Sequence, residues 1–119
     1  MLVIDDDTIV RGALVRTIEA LGYSTIEAGG GAEAVEIYRE RGSEIDGVVL
    51  DMVMPGMSGR ATYLALRELD AEVRVLLVSG YTVNEEVQEI LDLGVRGYLP
   101  KPHTIDQLAA ALGALTTAA

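Results

Sequence analysis

The chain alternates between short continuous runs of hydrophobic residues and longer stretches in which hydrophobic residues recur every three or four positions. Three runs are almost wholly apolar, which is typical of strands that are buried on both faces of a parallel sheet: residues 1–4 (MLVI), 47–50 (GVVL) and 73–80 (VRVLLVSG). Two shorter or more polar segments fit strands at the edges of such a sheet: residues 23–28 (YSTIEA) and 96–100 (RGYLP).

The stretches between these runs have the spacing of amphipathic helices. The predicted apolar faces are Val10–Leu14–Ile18–Leu21, Ala34–Val35–Tyr38, Ala61–Leu64–Ala65, Val83–Val87–Ile90–Leu91 and Ile105–Leu108–Ala109–Leu112–Leu115. Gly22, Gly42 and Gly94 are predicted to end helices, and Thr104 is predicted to cap the last one. The pattern is thus β-α repeated five times with short connections. It predicts an α/β fold, with a parallel sheet, right-handed crossovers and helices on both faces.

Length, charge and composition narrow the class of protein. A chain of 119 residues fits one domain, 1–119, with an ordinary core. The formal net charge of −10 disfavours direct binding to nucleic acid or to an anionic membrane surface, and the lack of cysteine excludes thiolate metal sites. No apolar run approaches the ~20 residues of a membrane span, and no basic signal-peptide start is present. We therefore expect a cytoplasmic domain without membrane insertion or an output domain.

Residues that carry chemistry follow the predicted strands at their carboxyl ends. Asp5 and Asp6 follow the first strand, Asp51 the third, Ser79 the fourth and Lys101 the fifth. Ligands of open α/β sheets bind outside these ends. If strands one and three are neighbours, their carboxylates repel one another unless their pKa values rise or a cation such as Mg²⁺ neutralises them. Such a site is suited to phosphoryl transfer onto Asp51, with Ser79 and Lys101 stabilising the phosphoryl oxygens.

Four segments in this order resemble the signature segments of the receiver domain of two-component response regulators: LVIDDD followed by Arg11, VVLDMVMPGMSG, VLLVSG and GYLPKP. The resemblance covers essentially the whole chain. It implies a three-layer flavodoxin-like (βα)5 fold with a five-stranded parallel sheet in the order 2-1-3-4-5. It also implies a phosphorelay in which Asp51 accepts a phosphoryl group from a phosphohistidine of a histidine kinase or a histidine phosphotransfer protein.

The resemblance implies a Mg²⁺ site, with Mn²⁺ as an alternative ion. Asp6 and Asp51 would bind the ion directly, and Asp5 would lie near it, often through water. The backbone carbonyl of Val53 would be a further ligand. The domain would then be a phosphoacceptor rather than an enzyme, apart from its own phosphotransfer and slow autodephosphorylation.

The resemblance further implies a conformational switch. Ser79 and Lys101 would contact the phosphoryl group, and the Lys101–Pro102 bond matches a usual cis peptide of the family. Ser79 would move toward the phosphate while Tyr98 turns inward, which changes the surface of helix four, strand five and helix five. Many receiver domains dimerise through this surface when phosphorylated, so a homodimer stays open.

Other interpretations of the same residues also stay open. Asp5, Asp6 and Asp7 suit the start of a helix, and for Asp7 this capping role is preferred. A haloacid-dehalogenase-type phosphatase also uses an aspartyl nucleophile and Mg²⁺, but it usually has a second Asp where this chain has Val53. A degenerate receiver used only for docking would not need the complete set of five polar residues. A P-loop nucleotide site is excluded because its motif is absent.

Three residues depart from the commonest receiver pattern. Val53 and Tyr81 would flank the path of a hydrolytic water, so we expect their apolar bulk to slow loss of the phosphoryl group. His103 stands where the family often has an aromatic residue such as Phe. We expect a partly exposed ring there and assign it no catalytic role.

Overall fold

The computed structural model describes residues 1–51, 59–79, 85–100 and 103–116, with the backbone alone for Asp51, Ser79 and 85–87. Within these ranges, strands and helices alternate as the sequence predicts. The elements are β1 (Leu2–Ile4), α1 (Thr8–Ala20), β2 (Ile26–Ala28), α2 (Gly31–Arg41), β3 (Val48–Asp51), α3 (Gly59–Leu69), β4 (Val75–Ser79), α4 (Glu85–Asp92), β5 (Gly97–Pro100) and α5 (Ile105–Thr116). A 3-10 turn at Gly42–Glu44 follows α2.

The strands form one parallel sheet in the order β2-β1-β3-β4-β5. This order confirms the flavodoxin-like fold class. The two segments predicted as edge strands, β2 and β5, lie at the two edges. Pro100 pairs with Ser79 at the end of β5, where the missing backbone N–H of proline is tolerated because no further strand needs it.

The core consists of two apolar layers, one on each face of the sheet. Successive strand residues point to opposite faces, so Leu2 and Ile4 belong to one layer and Val3 to the other. Helices α2, α3 and α4 cover the first layer, and α1 and α5 cover the second. This arrangement confirms the three-layer architecture.

The ends of several helices confirm the predicted signals. Gly22 and Gly94 have φ values of 102° and 100°, a left-handed conformation that glycine adopts at little cost after a helix. At the start of α5, the Gln107 N–H donates to Thr104 Oγ1 at 3.1 Å and the Thr104 N–H donates to Gln107 Oε1 at 2.8 Å. Thr104 therefore caps α5 as predicted, in a reciprocal capping box.

The buried faces of two helices differ from the prediction. In α1, Val15 and Ile18 are buried, whereas Val10 is 40% exposed because it belongs to the first turn, at the edge of the sheet. In α3, the predicted Ala61–Leu64–Ala65 face is wrong: Tyr63 and Leu66 are buried, and Leu64 is 37% exposed. The large ring of Tyr63 fills more of the core than two alanines, and this determines how the helix is rotated.

Ile105 also departs from its predicted core position. It is 63% exposed at the first position of α5, whereas the predicted Leu108, Leu112 and Leu115 are buried. The first turn of α5 extends beyond the sheet. Ile105 therefore lies on the apolar face of the helix but has no sheet surface to cover.

Tyr38 joins α2 to the segment between α3 and β4. Its hydroxyl donates to Asp70 Oδ2 at 2.8 Å, and the residue is buried. Burial, with the neighbouring Asp70 carboxylate, raises the pKa of the Tyr38 phenol well above its usual value of 10.0. Above that pH the unfolded chain releases the phenolic proton and the folded chain keeps it, so the free energy of unfolding falls as the pH rises.

We expect Tyr38→Phe to reduce this alkaline loss of stability. The variant should lose about 1 kcal/mol at neutral pH, because the hydrogen bond to Asp70 is gone. Its free energy of unfolding should then fall less steeply than that of the wild type as the pH rises above 10, the ordinary value for tyrosine. Urea titrations at a series of pH values measure both effects, and parallel pH profiles for the two proteins would contradict the assignment.

Candidate functional site

The carboxyl ends of β1, β3 and β4 lie side by side at one edge of the sheet. Ile4 and Leu50, the residues that precede Asp5 and Asp51, pair with each other. The backbones of the two aspartates therefore lie at the same level of adjacent strands, which are about 5 Å apart. Asp51 in turn pairs with Val78, the residue before Ser79. The backbone therefore brings together three of the residues predicted to form the site.

The acid loop, residues Asp5–Asp7, leads from β1 into α1. Asp5 is 2% exposed, and its Oδ1 accepts the Asp7 N–H at 2.9 Å. Asp7 Oδ1 accepts the N–H groups of Ile9 and Val10 at 3.0 and 3.1 Å, which confirms Asp7 as the cap of α1. Asp6 is exposed. Since Asp7 satisfies the start of the helix, Asp5 and Asp6 are not needed as caps.

Arg11 holds the acid loop from the side of α1. Its Nη1 donates to the Asp5 carbonyl at 2.7 Å, and its Nε donates to Glu27 Oε1 at 3.1 Å. The sequence shows this arginine within a recognisable segment, but it does not reveal either partner. The contact with Glu27 depends on the pairing of β1 with β2, which sequence spacing alone does not give.

The remaining predicted site residues are described in part or not at all. The following lie outside what the structure describes: the side chains of Asp51, Ser79 and Val87, the whole of Val53, Tyr81, Val83 and Lys101, and the Lys101–Pro102 bond. Their predicted roles stay predictions.

Tyr98 is half-buried on β5 and packs against the apolar layer under α2, α3 and α4. It pairs with Leu77, two residues before Ser79 on the neighbouring strand. The strand register thus brings the predicted switch aromatic near the strand end that bears Ser79.

The described side chains at this edge that could bind a metal ion are the carboxylates of Asp5 and Asp6. Such ligands fit Mg²⁺ better than a softer metal. Among the side chains that the structure describes, no three His, Cys, Asp or Glu residues are grouped closely enough to hold an ion. The Asp51 carboxylate is not one of those side chains. The fit of the site to an ion is therefore judged from Asp5, from Asp6 and from the position of the Asp51 backbone beside Asp5. These agree with a hard divalent cation.

A groove of about 390 Å³ lies beside this edge, between α1 and α5. Val10, Leu14 and Leu108 give it an apolar wall, and His103 also lines it. The His103 ring is half-buried, in agreement with the partly exposed ring expected from the sequence.

The helices in the described ranges do not have the character of membrane spans. Over the described parts of the chain, none is long and apolar enough to cross a bilayer.

Comparisons with known proteins agree with the fold. Residues 1–113 match the family model of the response regulator receiver domain. The chain is 38% identical over 109 residues to the sensor kinase CckA of Brucella abortus (strain 2308), covering 92% of this chain and 12% of that kinase. It is 35% identical over 115 residues to the response regulator MprA of Mycobacterium sp. (strain KMS), covering 97% of this chain and 49% of that protein.

A solved structure shows the same likeness in three dimensions. The CheX–CheY complex from Borrelia burgdorferi, crystallised with BeF3 and Mg²⁺, superposes with a TM-score of 0.90 at 26% identity, covering 98% of this chain and 88% of the matched chain. The family match extends over nearly the whole sequence, and the sheet order is the one that the resemblance implied. This chain therefore belongs to the response regulator receiver domains of two-component signalling.

Proposed function

We propose that residues 1–119 form a single receiver domain that accepts a phosphoryl group on Asp51 from a phosphohistidine, in a Mg²⁺-dependent reaction. The observation that carries this proposal is the strand register, which brings Asp5, Asp51 and Ser79 to the carboxyl edge of the sheet. Asp5 and Asp51 lie level on adjacent strands, and Ser79 lies one residue beyond the level of Asp51 on the next strand. The burial of Asp5 adds to it, since Mg²⁺ would help to compensate the charge of a buried carboxylate.

The transfer moves one phosphoryl group between two side chains. A carboxylate oxygen of Asp51 attacks phosphorus, and the P–N bond of the phosphohistidine breaks. The bonding electron pair goes to the imidazole nitrogen, and with one proton on the other ring nitrogen the donor leaves as neutral histidine. Positioning and charge compensation supply most of the catalysis in such a reaction.

The residues that would hold the ion are Asp6, Asp51 and the backbone carbonyl of Val53, with Asp5 near it. When bound, Mg²⁺ would compensate the charge of the carboxylates and of the phosphoryl oxygens. Exposed Asp6 is accessible to a hydrated ion from solvent, and buried Asp5 is held in place by the Asp7 N–H. The acid loop thus presents one exposed carboxylate and one buried, hydrogen-bonded carboxylate.

Ser79 and Lys101 would bind the phosphoryl oxygens, and the resulting movement of Ser79 would change the position of Tyr98. Tyr98 is suited to this role because it is half-buried and lies on the strand that pairs with β4. A shift of its ring would change the surface formed by α4, β5 and α5. A partner, which includes a second copy of this chain, would then bind one state in preference to the other.

The relatives support the choice of phosphodonor and ion. One relative is a sensor kinase, and the structural relative from Borrelia burgdorferi was crystallised with Mg²⁺. By this analogy we propose a histidine kinase or a histidine phosphotransfer protein as donor, in the cytoplasm. The domain would have no direct contact with nucleic acid and no membrane insertion, as its net charge of −10 favours.

The decisive experiment is intact-mass spectrometry after incubation with Mg²⁺ and acetyl phosphate. We expect one phosphoryl group per chain, and none when EDTA replaces Mg²⁺. Consumption of acetyl phosphate without an accumulated adduct would instead indicate a phosphatase of the haloacid-dehalogenase type. No consumption and no adduct would indicate a domain used only for docking.

We expect Val53→Asn to shorten the lifetime of the phosphorylated protein. An amide at this position can hydrogen-bond a water molecule beside the aspartyl phosphate, whereas valine cannot. After removal of acetyl phosphate, the decay of the adduct by intact mass gives the rate, with Val53→Ala as a control that reduces bulk without adding a polar group. Equal decay rates for wild type and Val53→Asn would refute this role of Val53.

A further inference from the structure

Arg11 connects the acid loop to the edge strand β2. Its guanidinium contacts the Asp5 carbonyl through Nη1 and the Glu27 carboxylate through Nε, and only 17% of its side chain is exposed. Glu27 itself is about half exposed, at 48%. A nearly buried guanidinium with two partners in different segments is a structural link, and its position beside Asp5 makes it relevant to the site.

The link to Asp5 replaces a backbone hydrogen bond. The Asp5 N–H donates to the Ala28 carbonyl at 3.2 Å, which is the last step of the β1–β2 ladder. In a regular parallel ladder the Asp5 carbonyl would next accept an N–H from the chain beyond Ala28. β2 ends at Ala28, and Arg11 donates to that carbonyl from α1. The arginine therefore fixes the backbone of Asp5 where the neighbouring strand no longer does.

The turn after β2 leaves room for this guanidinium. The Gly29 N–H donates to Glu33 Oε2 at 3.3 Å, and a Cβ atom placed on Gly29 would lie 3.4 Å from Arg11 Nη1. Since 3.4 Å is an ordinary van der Waals distance, the turn packs directly against the arginine. The guanidinium is enclosed by the acid loop, β2 and this turn.

We propose that Arg11, oriented by Glu27, is a positioning residue for the metal site. It fixes the carbonyl of Asp5 while the Asp7 N–H fixes its carboxylate, so both polar ends of Asp5 are held before an ion arrives. This inference rests on the proposed function, because it concerns the affinity of the acid loop for Mg²⁺. Arg11 would act through Asp5 and would not itself contact the ion or the phosphoryl group.

The sign of the effect distinguishes positioning from simple electrostatics. Arg11 is a cation close to carboxylates that would bind a cation, so removing its charge should strengthen Mg²⁺ binding if Coulomb forces alone mattered. If Arg11 positions the acid loop, its removal should weaken binding. One substitution therefore gives opposite results under the two explanations.

The experiment compares Mg²⁺ affinity between Arg11→Gln and a matched control, Arg16→Gln. Arg16 is an exposed arginine on the same helix, so both variants change the net charge equally. In NMR titrations of the amides of α1 with MgCl2, we expect Arg11→Gln to bind about 10-fold more weakly than wild type, as loss of a group that orients a metal ligand does. Arg16→Gln should stay within about twofold of wild type, because an exposed charge is screened.

Two further variants test the geometry. Arg11→Lys keeps the charge but not the planar fork, so it should recover only part of the affinity. Glu27→Gln keeps an acceptor for Arg11 without the ion pair, and we expect a smaller loss than for Arg11→Gln. Mg²⁺ binding by Arg11→Gln that is as tight as or tighter than that of the wild type would overturn the proposal.

A measurement without metal separates this inference from the proposed function. In Mg²⁺-free protein, the Asp7 amide should exchange with solvent faster in Arg11→Gln than in Arg16→Gln, because its acceptor Asp5 is less well held. Wild type that fails to bind Mg²⁺ would overturn the proposed function and the metal role of Arg11 with it. Wild type that binds Mg²⁺, with an unchanged affinity and an unchanged Asp7 amide in Arg11→Gln, would overturn the role of Arg11 alone.

Discussion

Asp51→Asn is expected to abolish the phosphoryl adduct that the wild type forms with Mg²⁺ and acetyl phosphate. The amide matches the carboxylate in size but has no anionic oxygen to attack phosphorus, so the loss is chemical rather than structural. Intact mass after equal incubation measures the adduct, and thermal unfolding confirms that the variant is folded. The effect should be complete within the detection limit.

Asp46→Asn is the matched control for this experiment. Asp46 is an exposed acid just before β3, at the opposite end of the strand from Asp51, so the two variants make the same chemical change and the same change of charge. We expect the control to keep the full adduct. An adduct that persists in Asp51→Asn would place the acceptor on another residue and contradict the proposed function.

Leu66→Ala is expected to lower the free energy of unfolding by about 3 kcal/mol, because it empties a fully buried position in α3. Leu64→Ala, the same change two residues earlier in the same helix, should cost about 1 kcal/mol or less, since Leu64 is already 37% exposed. Urea unfolding of the two variants at one pH measures the difference. Equal losses, or a larger loss at Leu64, would restore the face predicted from the sequence and contradict the observed rotation of α3.

The rotation of α3 shows which features of a fold can be predicted from the periodicity of apolar residues. Strand positions and sheet edges followed from the continuity of apolar runs, because a strand buried on both faces tolerates few polar residues. The rotation of α3 could not be predicted in this way. The buried face contains Tyr63, an aromatic residue with a polar end, and the helix also contains small alanines that weaken the apolar pattern. The contact of a large ring with the sheet decided the rotation, and that contact is a property of the assembled layers.

The candidate site was predictable to a similar depth. The sequence placed Asp5, Asp51 and Ser79 at strand ends, and the pairing register confirmed that these ends are adjacent. The capping role of Asp7 was also predictable, because it depends only on neighbouring residues. The partners of Arg11 were not, since they depend on which strand lies beside β1 and on where that strand stops.

Both edges of the sheet have a consequence for the behaviour of the protein in concentrated solution. β2 is three residues long, and β5 ends in an exposed proline, so neither offers another chain a long row of free backbone groups. Growth of the sheet from one molecule into the next, the route to fibres, is disfavoured at each side.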